Sequence, residues 1–92
     1  MNQAVKIIVS GKVQGVSFRL YTRNKARELG IDGYVYNLEN GSVEIIAQGE
    51  KSKLNELINW CYSGSPSAIV TDVKVEFLNE LNLALQDFNI RY

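Results

Sequence analysis

From Ala4 to Gly11, apolar residues recur at every second position. Val5, Ile7 and Val9 share one face, and Lys6, Ile8 and Ser10 share the other. This is the period of a β-strand, and Ile8 on the polar side predicts a central strand half-buried on both faces. From Phe18 to Leu29 the period becomes helical: Phe18, Thr22, Ala26 and Leu29 fall together, and Leu20 to Glu28 are mostly good helix formers. Gly30 is the expected C-terminal stop. Asp32–Glu39 and Ser42–Gln48 read as strands joined by Asn40-Gly41, a pair suited to a two-residue type I′ hairpin. Lys51–Tyr62 predicts a second helix with an apolar stripe of Leu54, Leu57, Ile58 and Cys61 and with Ser52 as N-cap. Ser63–Ser67 ends it. Ala68–Phe77 alternates again. Ile69, Thr71, Val73, Val75 and Phe77 oppose Val70, Asp72, Lys74 and Glu76, and the charged residues are expected on the open face of a sheet. Leu78–Gln86 has no period and is expected to be a loop or short turn. Phe88, Ile90 and Tyr92 predict a short final strand.

The order βαββαβ plus a final strand predicts an α+β, ferredoxin-like sandwich, with two helices on one face of an antiparallel sheet. In this plan the third strand lies between the first two. The C-terminal ends of those two strands therefore share one edge, roughly 10 Å apart at two strand spacings. The order alone assigns no chemistry.

Composition narrows the options. A chain of 92 residues is expected to form one domain, residues 1–92. Ten basic residues balance ten acidic ones, which argues against a general nucleic-acid or anionic-membrane surface. There is no histidine, so the commonest general base and the Ser/His/Asp and Cys/His machineries are excluded. Cys61 is the only cysteine, which rules out an intramolecular disulfide, and one thiol does not build a zinc site. No apolar run is long enough to span a bilayer and the N-terminal residues do not read as a signal peptide, so a cytoplasmic location is expected.

Residues 11–19, GKVQGVSFR, link the first strand to the first helix. Such a loop is either a simple turn or an anion site. Gly15 permits close approach of backbone to a ligand. Successive amides from Gln14 to Arg19 lead into a helix N-terminus, where free N–H groups and the helix dipole favour negative charge. Arg19 adds a planar fork for two phosphate oxygens. The loop lacks the Gly-Lys-Ser/Thr ending of the ATP-binding P-loop. Asn37, at the end of the second strand, is placed by the topology on the same sheet edge as this loop.

GKVQGVSFR resembles the GxVQGVxFR motif of the acylphosphatase family. GIDGYVYNLENGSVEIIAQG, LINWCYSGSPSAIVTDVKVE and the closing FNIRY are similar to later blocks of that family, so the resemblance covers nearly the whole chain. It implies a ferredoxin-like fold and hydrolysis of acyl phosphates to a carboxylate and inorganic phosphate. No metal or cofactor is implied. By the same resemblance Arg19 binds phosphate, Asn37 orients the attacking water, and the backbone of Gln14, Gly15, Val16, Ser17, Phe18 and Arg19 cradles the phosphoryl group. The implied partner is a small acyl phosphate, with inorganic phosphate or a similar anion in the loop. Neither nucleic acid nor membrane is expected, and the chain is expected to be a monomer. Four positions depart from the family's usual pattern. Tyr34 stands where Trp is frequent, Tyr36 where a basic residue often precedes the asparagine, Ser17 where Gly or Cys is frequent, and Asn40 where Asp is common. A change at Tyr36 bears on local charge and substrate preference.

Other residues have plainer roles. Ser17 lacks a base to activate it and reads as a loop or cap residue. Cys61 belongs to the core stripe. Arg23 and Arg27 continue the Arg19 stripe as a solvated face with some anion steering, and Lys12 is either a surface residue or a contributor to the field. Trp60 and Tyr62 flank the core stripe, and Arg91 reads as structural. Two other readings use the same fold. One is a non-catalytic phosphate- or partner-binding module, against which Arg19 and Asn37 both count. The other is an RNA reader, which needs exposed aromatics on specific strands in a basic setting; the first strand has none and the net charge is zero.

Overall fold

The computed structural model describes residues 2–82 and 84–92. Its elements are β1 (Asn2–Lys12), α1 (Phe18–Glu28), β2 (Asp32–Asn37), β3 (Val43–Glu50), α2 (Lys51–Cys61), β4 (Ile69–Leu78) and β5 (Phe88–Ile90). The sheet order is β4-β1-β3-β2-β5. β3 pairs antiparallel with both β1 and β2, so β1 and β2 run parallel on either side of it, as the element order predicts. Among the described residues no helix is long and apolar enough to cross a membrane.

One face of the sheet carries the core. Val5, Ile7 and Val9 of β1, Val35 of β2, Val43, Ile45 and Ala47 of β3 and Phe88 of β5 are fully buried there. Phe18 and Ala26 of α1, and Leu54, Leu57 and Cys61 of α2, complete the same cluster. Each large apolar side chain buried in this way contributes roughly 1.5–3 kcal/mol. Both helices thus lie on one face, and the alternation that predicts the strands is the trace of this one-sided burial. The opposite face holds Lys6, Ile8, Ser10, Tyr34, Tyr36 and Glu44. Asp72, Lys74 and Glu76 join it, because they pair with Ser10, Ile8 and Lys6.

Four details differ from the sequence expectation. First, β5 pairs parallel with β2, so the sheet is mixed rather than antiparallel. The chain leaves β4 at the edge where β2 begins and crosses along that edge. Gln48 grips the crossing by donating to Asn82 O at 2.7 Å and accepting from Asn82 N–H at 3.0 Å. Asp32 then accepts from Asp87 N–H at 2.9 Å. Entering from that end, β5 must run with β2. Of the unpatterned stretch, Leu78 closes β4 and Leu83 lies outside the described residues.

Second, the β2–β3 connection is not a type I′ pair. Gly41 has a φ of 93°, but Asn40 does not have positive φ. Gly41 N–H donates to Leu38 O at 3.2 Å, and Leu38 N–H donates to Ser42 O at 2.8 Å. This is a three-residue loop of turn plus glycine bulge. Asn40 serves it through its side chain, accepting from Ser42 N–H at 2.9 Å.

Third, Glu50 rather than Ser52 is the N-cap of α2. β3 runs straight into the helix, so Ser52 already lies in its first turn. Fourth, the β1–β4 register shifts between Ser10 and Gly11: Ser10 pairs with Asp72, and Gly11 with Val70. The extra residue, Thr71, forms a bulge. The bulge brings Val70 to the core side with Val73 rather than to the open face.

Candidate active site

The C-terminal ends of β1, β2 and β5 and the start of β3 meet at one sheet edge, where the loop from Val13 to Ser17 enters α1. Val13 and Phe18 are each 1% exposed and anchor the loop to the core at both ends. Between them Gly15 has a φ of 74° and Ser17 a φ of 61°. Ser17 is the N-cap of α1, with no side-chain capping bond. Among the described residues, no N–H from Gln14 through Arg19 has a protein acceptor. Successive free amides in a chain that alternates in hand form a concave cradle for an anion.

The cradle is held from beneath and from across the sheet edge. Beneath it, buried Ser65 donates its hydroxyl to Val16 O at 2.8 Å. Gly64 lies under the Phe18 ring, so close that a Cβ there would stand 2.6 Å from the ring, and its φ is 67°. Across the edge, the Gln14 side-chain amide donates to Leu38 O at 2.8 Å and to Ser42 O at 2.9 Å.

Arg19 lies in the first turn of α1 and is half-buried. It donates from Nη1 to Arg91 O at 3.4 Å, and its guanidinium carbon lies 4.8 Å from the centre of the Tyr92 ring. Arg91 is held in turn. Its N–H donates to Val35 O at 2.8 Å, and its guanidinium stacks 3.5 Å above the Tyr34 ring. The structural role expected for Arg91 thus takes the form of a link between β2 and Arg19. Asn37 ends β2 opposite Val43 and is exposed. Among the described residues its side-chain amide has no hydrogen-bond partner, so it is free to meet a ligand or a water.

Alternation along β2 separates Asn37 from its neighbour. Gly33, Val35 and Asn37 fall on the helix side, and Tyr34 and Tyr36 on the open side. The Tyr36 hydroxyl donates to the Glu44 carboxylate. That bond, with some burial and the Glu44 charge, pushes the phenol up to about 12. Tyr36 therefore stays a neutral hydroxyl on the far face of the sheet.

Cys61 is fully buried, and burial pushes its thiol up to about 12, which keeps it protonated and inert. Arg27 is not a freely solvated charge. It donates to Phe88 O at 3.0 Å and Asn89 Oδ1 at 3.4 Å, and it pairs with Asp87 at 3.2 Å. It fastens β5 to α1. Among the described residues, Arg23 bonds only the neighbouring Asn24 side chain. A cleft of about 480 Å³ lined by Ala4, Lys51, Phe77 and Leu81 lies at the other end of β1, remote from the cradle.

Sequence reasoning brings the 14–19 backbone, Arg19 and Asn37 to one edge. It misses the Gln14 side chain, Ser65 and the Arg91–Tyr92 contact to Arg19. For these the only sequence signal is a polar residue between Val13 and Gly15, and an aromatic beside an arginine at the end of FNIRY.

The sequence profile of the acylphosphatase family matches residues 5–90. An acylphosphatase of Shewanella amazonensis is 49% identical over 86 residues, covering 94% of this chain and 93% of the relative. One from Thermotoga petrophila is 44% identical over 90 residues, 98% of each. Among solved structures, acylphosphatase from Bacillus subtilis superposes with a TM-score of 0.93 at 36% identity, covering all of both chains.

Proposed function

The chain belongs to the acylphosphatase family, and from that premise we propose how it hydrolyses the carboxyl–phosphate bond of an acyl phosphate. The cradle N–H groups from Gln14 to Arg19 and the Arg19 fork hold the phosphoryl oxygens. The Asn37 amide orients a water opposite the acyl oxygen. The water oxygen bonds to phosphorus as the phosphorus–acyl oxygen bond breaks, and that bond's electron pair leaves with the carboxylate. A non-bridging phosphoryl oxygen takes the water's proton. A carboxylate is a good leaving group, so departure needs little protonation. Positioning and charge stabilisation carry the step. This division of labour requires no histidine.

One observation carries the proposal: a row of N–H groups with no acceptor among the described residues stands on the sheet edge that also ends in Asn37. The test is release of inorganic phosphate from benzoyl phosphate by the purified protein and by its Asn37→Ala variant. Turnover by the parent, and its loss in the variant with phosphate inhibition unchanged, is the expected result. Equal turnover in both would remove Asn37 from the chemistry. Phosphate binding without turnover in the parent would leave a non-catalytic binding module.

A further inference from the structure

We propose that the Gln14 side chain is a positioning residue, which sets the place of the oriented water relative to the phosphoryl group. The proposal rests on the Asn37 assignment above. The cradle and Asn37 come from different strands, β1 and β2, with β3 between them. Among the described residues, no backbone hydrogen bond joins the cradle to the β2–β3 turn. The Gln14 amide makes that connection, spending both of its N–H groups on it.

Its acceptors are well placed for the purpose. Leu38 directly follows Asn37, and Ser42 faces Leu38 across the turn. Ser42 O receives both Leu38 N–H and Gln14 Nε2, which fills its two lone pairs. Ser42 is buried, and its hydroxyl lies 3.0 Å from that of Ser10 in β1. Gln14 thus ties the cradle to the segment that carries Asn37, and Ser42 ties that segment back to β1.

Among the described residues the Asn37 side chain has no hydrogen-bond partner, so its place is set by its own backbone. In-line attack is sensitive to this, since a misplacement of about 1 Å can cost about 10²-fold in rate. Phosphate itself should be held equally well without the tie, because the cradle amides and Arg19 remain.

The test is a double-mutant cycle with Gln14→Met and Asn37→Ala, read as kcat for benzoyl phosphate and as inhibition by inorganic phosphate. Met keeps the length of the side chain and removes both donors. The expected result is a kcat at least about tenfold lower in Gln14→Met, with phosphate inhibition unchanged within about threefold. In the Asn37→Ala background, Gln14→Met should then lower kcat by less than about twofold, because the group it positions is gone. An unchanged kcat in Gln14→Met would overturn the proposal. So would equal losses in the two backgrounds, or weakened phosphate inhibition, since both mark a general collapse of the loop. A normal kcat in Asn37→Ala alone would instead overturn the Asn37 assignment, and the positioning role with it.

Discussion

The guanidinium of Arg19 lies 4.8 Å from the centre of the Tyr92 ring, although the two residues come from the first helix and the far end of the described chain. An exposed cation–π contact is worth about 0.5–1 kcal/mol. Tyr92→Ala is therefore expected to lower kcat/KM for benzoyl phosphate by about two- to fivefold. Tyr92→Phe should retain the parent value, because the ring and not the hydroxyl makes the contact. Equal losses in both variants would show that the ring face is irrelevant.

Arg19 itself is expected to be far more sensitive. Arg19→Ala should lower kcat/KM by at least about 10²-fold, the scale for loss of a key electrostatic group. Arg19→Lys should fail to restore it, because a point charge reproduces neither the two-pronged grip on phosphate nor the contacts to Arg91 O and Tyr92. Steady-state kinetics decide this directly. A fully active lysine variant would mean that charge alone suffices.

Gly64→Ala is expected to destabilise the fold. The new Cβ would meet the Phe18 ring at 2.6 Å, and the backbone there has a φ of 67°. Overpacking of this kind costs about 1–3 kcal/mol. Urea denaturation should show a lower midpoint with an unchanged slope. A midpoint equal to the parent's would mean that Phe18 yields at no cost.

Cys61 predicts an alkaline loss of stability. Its folded thiol is raised to about 12, whereas an unfolded thiol ionises near its ordinary value of about 8.5. The unfolded chain therefore releases its proton first. The stabilisation is complete below about pH 8.5 and declines as pH rises towards about 12. At pH 10 the loss is on the order of 2 kcal/mol. Denaturant unfolding at pH 7 and pH 10 measures it, with Cys61→Ala as control. The alanine variant should lose less stability between the two values.

The strands and helices were legible because one-sided burial leaves a period. Val5, Ile7 and Val9 record it in β1, and Leu54, Leu57 and Cys61 in α2. Arg19 and Asn37 were legible as a pair because topology alone brings the ends of β1 and β2 to one edge. The contacts that fix them were not. Gln14 reaches Leu38 and Ser42 across 24 and 28 positions, and Ser65 reaches Val16 across 49. No local pattern encodes an acceptor that exists only after the sheet forms. The direction of β5 was hidden for a similar reason, since it depends on the route of the crossing gripped by Gln48. The bulge at Thr71 shifts the parity of β4 without interrupting its alternation, so the sequence pattern places Val70 on the wrong face.

β5 has three residues in parallel pairing with β2 and sits on the sheet margin, yet Arg19 depends on the two residues that follow it. Short marginal segments open at a lower free energy than the whole fold. Its amides should therefore exchange with deuterium sooner than those of β1 and β3. In mild urea, turnover should fade while the circular dichroism of the helices is still intact. The catalyst would then have its own melting point, set by the Arg27 fastening and lower than that of the protein.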